Sequence, residues 1–291
     1  MLSNKTITII GCGLIGSSLA RSIKKSGLVK RVNICDSDSA TVRTCTELQL
    51  ADFASTSYSE TIIDADIIII ATPVATYAHI AENIAPHLKA GAIISDVGSV
   101  KVATIEQITR YIPPTSHPYV PAHPIAGTEN SGINAGFAEL FEDKWCIITT
   151  QQQQAATTAQ QNAVTIIKQL WQKICKSRVA IMGAEHHDMV LAITSHLPHM
   201  CAYTAIKTAA DIGNELEREV IQYSASGFRD FTRVAASDPT MWRDIMLENK
   251  QAIIAISNQF IADFKALQTM IIDDDHQGIE AMLSQSRSIR R

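Results

Sequence analysis

TITIIGCGLIG, residues 6–16, followed twenty residues later by Asp36, decides the fold. Four β-favouring residues, Ile7 to Ile10, run directly into Gly11-x-Gly13-x-x-Gly16. An apolar helical pattern then begins at once through Leu14, Ile15, Leu19 and Ile23. Gly11 makes the tight turn out of the strand, Gly13 lets a pyrophosphate approach the backbone, and Gly16 lets the helix pack closely on the sheet. The start of that helix offers free N–H groups and a positive dipole end to phosphates. A second strand, Arg31 to Cys35, ends at Asp36. A carboxylate there accepts both ribose hydroxyls of an adenosine and repels a 2′-phosphate. The combination predicts an NAD site, favoured over NADP, built from Gly11, Gly13, Leu14, Ile15, Gly16 and Asp36.

The chain has 291 residues, 46% apolar and 19% charged, with a net charge of −4. Those are the proportions of a globular protein with ample core, and the charge leaves no footprint for nucleic acid. Apolar runs such as Ile67–Ala71 have the length of a strand and fall far short of a membrane span. The first strand begins after five residues, with no room for a signal peptide, so a cytosolic protein without membrane attachment is expected. Six cysteines (Cys12, Cys35, Cys45, Cys146, Cys175, Cys201) are scattered without a CxxC pair. They read as reduced, mostly buried thiols, with neither a disulfide framework nor a zinc site.

The first half alternates apolar strands with helical segments. Strands are expected at Ile7–Ile10, Val32–Cys35, Ile67–Ala71, Ala92–Asp96, Tyr119–Ala122, Cys146–Thr149 and Arg178–Met182. Their alternation with helices implies a doubly wound α/β sheet, whose ligands bind beyond the carboxyl ends of the strands. By that rule Thr72, Pro73 and Val74 lie against the cofactor's ribose or pyrophosphate, and Gly98 and Ser99 near the nicotinamide. Beyond Gly183 the strand pattern stops. A helix over about 184–210 carries Pro198, which should kink or split it. Asp238-Pro239 forms a good helix start, and Ile253, Ile256, Phe260, Phe264, Leu267 and Ile271 make one apolar stripe on a long helix. Residues 1–183 are therefore read as a Rossmann-like NAD-binding domain. Residues 184–291 are read as an all-α domain that binds substrate and buries its stripe in a homodimer.

His123 follows a strand and precedes Pro124, which holds it extended at the ligand edge of the sheet. An imidazole there accepts a proton near neutral pH. The segment HPIAGTENSG (123–132) stands with GCGLIGSS ahead of it, and with Ser195-His196-Leu197-Pro198-His199 and Gly227-Phe228-Arg229-Asp230-Phe231-Thr232-Arg233 behind. Together these blocks resemble the prephenate/arogenate dehydrogenase family of tyrosine biosynthesis, over most of the chain. The resemblance implies a Rossmann domain followed by a helical dimerisation domain. It also implies NAD-dependent oxidative decarboxylation of a cyclohexadienol acid. By the same resemblance His123 takes the proton of the ring hydroxyl and Ser99 holds that hydroxyl or positions His123. Arg233 binds a carboxylate, His199 helps to bind the side chain, Trp242 lines the substrate pocket, and Glu129 gates its mouth. Two alternatives differ in chemistry. A β-hydroxyacid dehydrogenase uses a lysine four residues before an asparagine, whereas Lys207 here is followed by Asp211; a non-catalytic NAD-binding sensor would lack the proton acceptor and the anion clamp. His196 and His199 stand one helical turn apart, as do metal-binding pairs. Pro198 between them and the lack of a carboxylate or cysteine in register argue against a metal. The acidic-His start Glu185-His186-His187-Asp188 invites the same question and the same answer.

Overall fold

The computed structural model describes residues 2–128, 130–150, 157–211 and 226–290. β1 (Thr6–Ile10), β2 (Arg31–Cys35), β3 (Phe53–Ser55), β4 (Ile67–Ile70), β5 (Ile93–Asp96) and β6 (Tyr119–Val120) form one parallel sheet in the order β3-β2-β1-β4-β5-β6. The winding reverses between β1 and β4, so a crevice opens beyond the carboxyl ends of those two strands. Helices α1 (Leu14–Ser26), α2 (Ser39–Glu47), α3 (Tyr58–Ile62), α4 (Tyr77–Ile84), α5 (Val102–Thr109) and α6 (Thr158–Gln169) accompany it. The four isoleucines of β4 show why the sheet is covered on both sides. Ile67 and Ile69 join the cluster that holds Leu19 and Ile23 of α1, while Ile68 and Ile70 join the one that holds Tyr77, Ile80 and Ile84 of α4. Side chains alternate along a strand, so an unbroken apolar run serves two cores. Each such burial is worth about 1.5–3 kcal/mol.

The expected strand at Tyr119–Ala122 is in fact two strands in two sheets. Pro121 has no N–H to donate to a ladder, and the main sheet ends at Val120. β7 (Ala122–Pro124) then pairs antiparallel with β8 (Trp145–Thr149), which pairs parallel with β9 (Arg178–Met182). The last strands of the expected doubly wound sheet thus form a separate three-stranded sheet, and His123 lies within its edge strand β7, opposite Ile147. β3 escapes the sequence pattern because its three residues are only half-buried.

The second half is helical throughout its described residues: α7 (Ala184–Leu191), α8 (Leu197–Asp211), α9 (Ser226–Thr232), α10 (Pro239–Glu248), α11 (Lys250–Ile272) and α12 (His276–Arg290). Pro198 lies in the first turn of α8, and the helical run continues through it. The helix widens into a π-helical turn, Ala192–His196, immediately before it, which accommodates the missing N–H and the ring. Asp238 caps α10 by accepting from the N–H of Met241 at 2.7 Å. Of the α11 stripe only Ile253 is buried; Phe264 is 60% exposed, and Ile272 beyond it is 71% exposed. Asp273 to Asp275 make the turn into α12, with Asp275 accepting from the N–H of Gly278 at 2.9 Å.

Candidate active site

The glycine turn has the geometry the sequence calls for. Gly11 has φ +93°, and a Cβ there would lie 2.6 Å from Cγ2 of Thr72. A Cβ on Gly16 would run into the carbonyl oxygen of Gly11, so α1 packs as closely as a glycine allows. Gly13 faces open space, with nothing within 4 Å of the Cβ position, and it starts α1 with no side-chain cap on the free N–H groups. A cavity of about 220 Å³ lies among Gly11, Gly13, Asp36, Tyr58, Thr72 and Pro73. Asp36 is held at its rim by the N–H of Cys12 at 2.7 Å and that of Asp38 at 3.0 Å. Leu14 and Ile15 are half-buried on the first turn of α1 and pack against the core. Val74 is buried behind the turn, where a Cβ on Gly98 would come within 3.1 Å of it. An open glycine floor, an uncapped helix start and a rim carboxylate together fit the adenosine and pyrophosphate of a dinucleotide.

Past β5, the chain builds a sealed polar knot. Asp96 and Lys101 are both fully buried and ion-paired. Asp96 also accepts from the N–H of Gly98 (2.9 Å), the hydroxyl of Tyr119 (3.0 Å) and the N–H of Ala122 (3.3 Å). The Lys101 ammonium donates to the carbonyl of Ala122 at 2.8 Å. A buried ion pair is stabilised by further hydrogen bonds, and here both oxygens of Asp96 and a second N–H of Lys101 have them. The knot clamps both sides of the Ala122 peptide, and so fixes the residue that precedes His123. It also fixes the turn that carries the half-buried Ser99.

His123 reaches across to the helical half. Its Nδ1 lies 2.9 Å from Nε2 of His187, whose Nδ1 lies 2.8 Å from Oδ1 of Asp188. Burial holds the His123 imidazole well below its ordinary range, helped by His187, Lys101 and His196. His196 is pushed down to about 4, mainly by burial. Further along, His196 meets the edge of Trp242 with ring centroids 6.0 Å apart, and His199 stacks on the same indole at 3.6 Å. His199 is lowered by burial and by the nearby positive charge of Arg233. Contacts thus link His123 through His187, Asp188 and Asn249 to His196, Trp242 and His199, and the charge of Arg233 acts on His199. Trp242 is 6% exposed, and its indole N–H has no partner among the described residues. Arg233 itself is exposed and makes no ion pair among the described residues, Asp230 and Asp238 included. Glu129 lies outside the described residues.

A model of the prephenate dehydrogenase nucleotide-binding domain matches residues 19–181, and one of the prephenate dehydrogenase dimerization domain matches residues 183–285. The chain belongs to the prephenate dehydrogenase family. It is 41% identical to a cyclohexadienyl dehydrogenase of Zymomonas mobilis, over 98% of this chain and 95% of that one. It is 32% identical to a prephenate dehydrogenase of Bacillus subtilis, over 94% of this chain and 72% of that one. Among solved structures it matches prephenate dehydrogenase of A. aeolicus, in complex with hydroxyphenyl propionate and NAD+, with a TM-score of 0.89 and 29% identity. That match covers 98% of this chain and 97% of the other.

Within this prephenate dehydrogenase family chain, two former metal candidates have other partners. His196 and His199 share an indole, and His187 bonds to Asp188 on one side and to His123 on the other. Lys207, weighed above as a β-hydroxyacid dehydrogenase lysine, is exposed and paired with Asp211 at 2.7 Å. Asn249 had drawn no attention in the sequence. Its amide donates to the carbonyl of Asp188 at 2.8 Å and lies 3.1 Å from Nδ1 of His196.

Proposed function

We propose that the chain catalyses the NAD-dependent oxidative decarboxylation of prephenate, of arogenate, or of both. The observation that carries this reading is the chain of contacts from His123 through His187, Asp188, Asn249 and His196 to Trp242 and His199, on which the charge of Arg233 acts. NAD, held by the glycine turn, the start of α1 and Asp36, supplies the hydride acceptor. His123 uses Nδ1 for His187, which leaves Nε2 for the substrate. That nitrogen takes the proton of the ring hydroxyl at the carbon that loses the hydride. Ser99, on the turn fixed by the Asp96–Lys101 knot, holds the same hydroxyl in line. Arg233 pairs with a substrate carboxylate; its lack of an ion pair among the described residues supports that assignment, and a planar guanidinium suits two oxygens. His199 and Trp242, stacked on each other, form the wall along the ring. Loss of carbon dioxide makes the ring aromatic, so the protein's work is mostly orientation.

We assign residues 1–183 to the nucleotide-binding domain and 184–291 to the substrate-binding and dimerisation domain. The exposed face of α11 supports a homodimer through the second domain. No helix among the described residues is long and apolar enough to cross a membrane. We place the enzyme in the cytosol. The test is to mix the protein with NAD and either prephenate or arogenate and follow the absorbance of reduced cofactor. His123→Asn should lower kcat by more than about a hundredfold with little change in KM. Reduction of NAD by neither acid, or full turnover in His123→Asn, would remove the assignment.

A further inference from the structure

We propose that His187 and Asp188 are positioning residues that set the tautomer of His123, leaving its Nε2 bare and aimed at the substrate. The inference rests on reading His123 as the base. Asp188 comes from the helical half and His123 from the small sheet, so the device assembles only where the two meet.

The argument follows the protons. An ionised carboxylate only accepts, and Asp188 already accepts from the N–H groups of Lys101 at 2.8 Å and Val102 at 2.9 Å. The proton in its 2.8 Å contact with His187 therefore sits on Nδ1 of His187. A neutral imidazole carries one N–H, so Nε2 of His187 is a lone pair. The 2.9 Å contact to His123 must then be donated by Nδ1 of His123. With that hydrogen placed, Nε2 of neutral His123 has none and can accept. Had His187 been an imidazolium, it would donate to His123 and leave the hydrogen of His123 on Nε2, useless to a base.

The surroundings keep both rings neutral. The His187 side chain is fully buried. The charged groups that face it are Asp188, Asp96 and Lys101, and burial together with the Lys101 ammonium outweighs the two carboxylates. His187, His196 and Lys101 face His123, and none of them favours a positive charge on it. When Nε2 gains a proton during turnover, the new charge finds an aligned chain: His123 Nδ1–H to His187, and His187 Nδ1–H to Asp188. Asn249 holds the carbonyl of Asp188 from a third direction.

Asp188 also caps the start of α5, so a variant there mixes two roles; His187 separates them. In His187→Leu, kcat should fall on the order of tenfold to a hundredfold, with KM for NAD and for the cyclohexadienol acid little changed. In His187→Gln, whose amide accepts from His123 and donates to Asp188, most of that turnover should return. The readout independent of turnover is the ring-nitrogen NMR of histidine-labelled full-length protein with NAD bound, assigned by comparison with His123→Asn. Wild type should show His123 protonated at Nδ1 and bare at Nε2, and His187→Leu should move population to the other tautomer. A hydrogen on Nε2 of His123 in the wild type overturns the inference. So does a tautomer unchanged in His187→Leu, or a changed tautomer with undiminished kcat. Full turnover in His123→Asn would instead remove the base assignment, while the nitrogen spectra still judge the relay.

Discussion

Lys101 and Asp96, in the sheet half, are sealed at 0% exposure, paired with each other and bonded to further groups, whereas Arg233, in the helical half, stands exposed with no ion pair among the described residues. The same contrast runs through the apolar residues. Ile67 to Ile70 are wholly buried by their own chain, while Phe264 and Ile272 on α11 are left in the open. One half closes on itself and fixes geometry. The other keeps charges and apolar faces available for molecules that are not this chain.

The largest expected effect tests the closed half. Lys101→Met leaves Asp96 buried without its counter-ion and should cost about 3–5 kcal/mol, read from the denaturation midpoint. An unchanged midpoint would mean that the knot does not hold the sheet half together. Next comes the open half. Arg233→Ala should raise the substrate KM on the order of tenfold to a hundredfold, about 1.4–2.8 kcal/mol. Because the side chain is exposed, the denaturation midpoint should stay put. A large loss of stability there would erase the contrast.

Acid tests the seam between the halves. His123, His187, His196 and His199 all have depressed affinities for protons in the fold, with burial the leading cause. Below the unfolded value near 6.5, the unfolded chain binds protons that the native chain refuses, so stability falls as pH falls. For His196, lowered to about 4 and 1% exposed, the slope is about 1.4 kcal/mol per pH unit across that window. Asp38, Asp52, Asp66 and Glu139 are lowered too, and their contribution is lost further down, as the pH passes below the ordinary carboxylate range. Midpoints at pH 7 and pH 5 measure the histidine share; equal midpoints would contradict it. The smallest energetic cost should fall on α11. Phe264→Asp should cost the single chain within about 0.5 kcal/mol, since the residue is exposed. Light scattering should nonetheless move from about twice the chain's 31.7 kDa to that mass alone. A variant that stays double would place the dimer contact elsewhere.

The same contrast explains what could be read from the sequence. The dinucleotide turn was legible because every requirement on it is local: a left-handed φ at Gly11, close packing at Gly16, an open side at Gly13. The cap at Asp238 was legible for the same reason. The move of the chain into a second sheet was not, because Pro121 says only that a ladder breaks, and its new partner, β8, lies more than twenty residues further on. His187 and Asp188 were seen but read as a metal question. Helical spacing held the better answer: Ala184, His187, Asp188 and Leu191 recur at one face and are buried, while Glu185 and His186 point out. What no local rule supplies is that this face lands on His123, sixty-four positions earlier.

Asp188 takes the N–H groups of both Lys101 and Val102, and Asn249 grips the same residue from behind. Any parting of the two halves must therefore pivot about the Lys101 and Val102 contacts to Asp188 or break them.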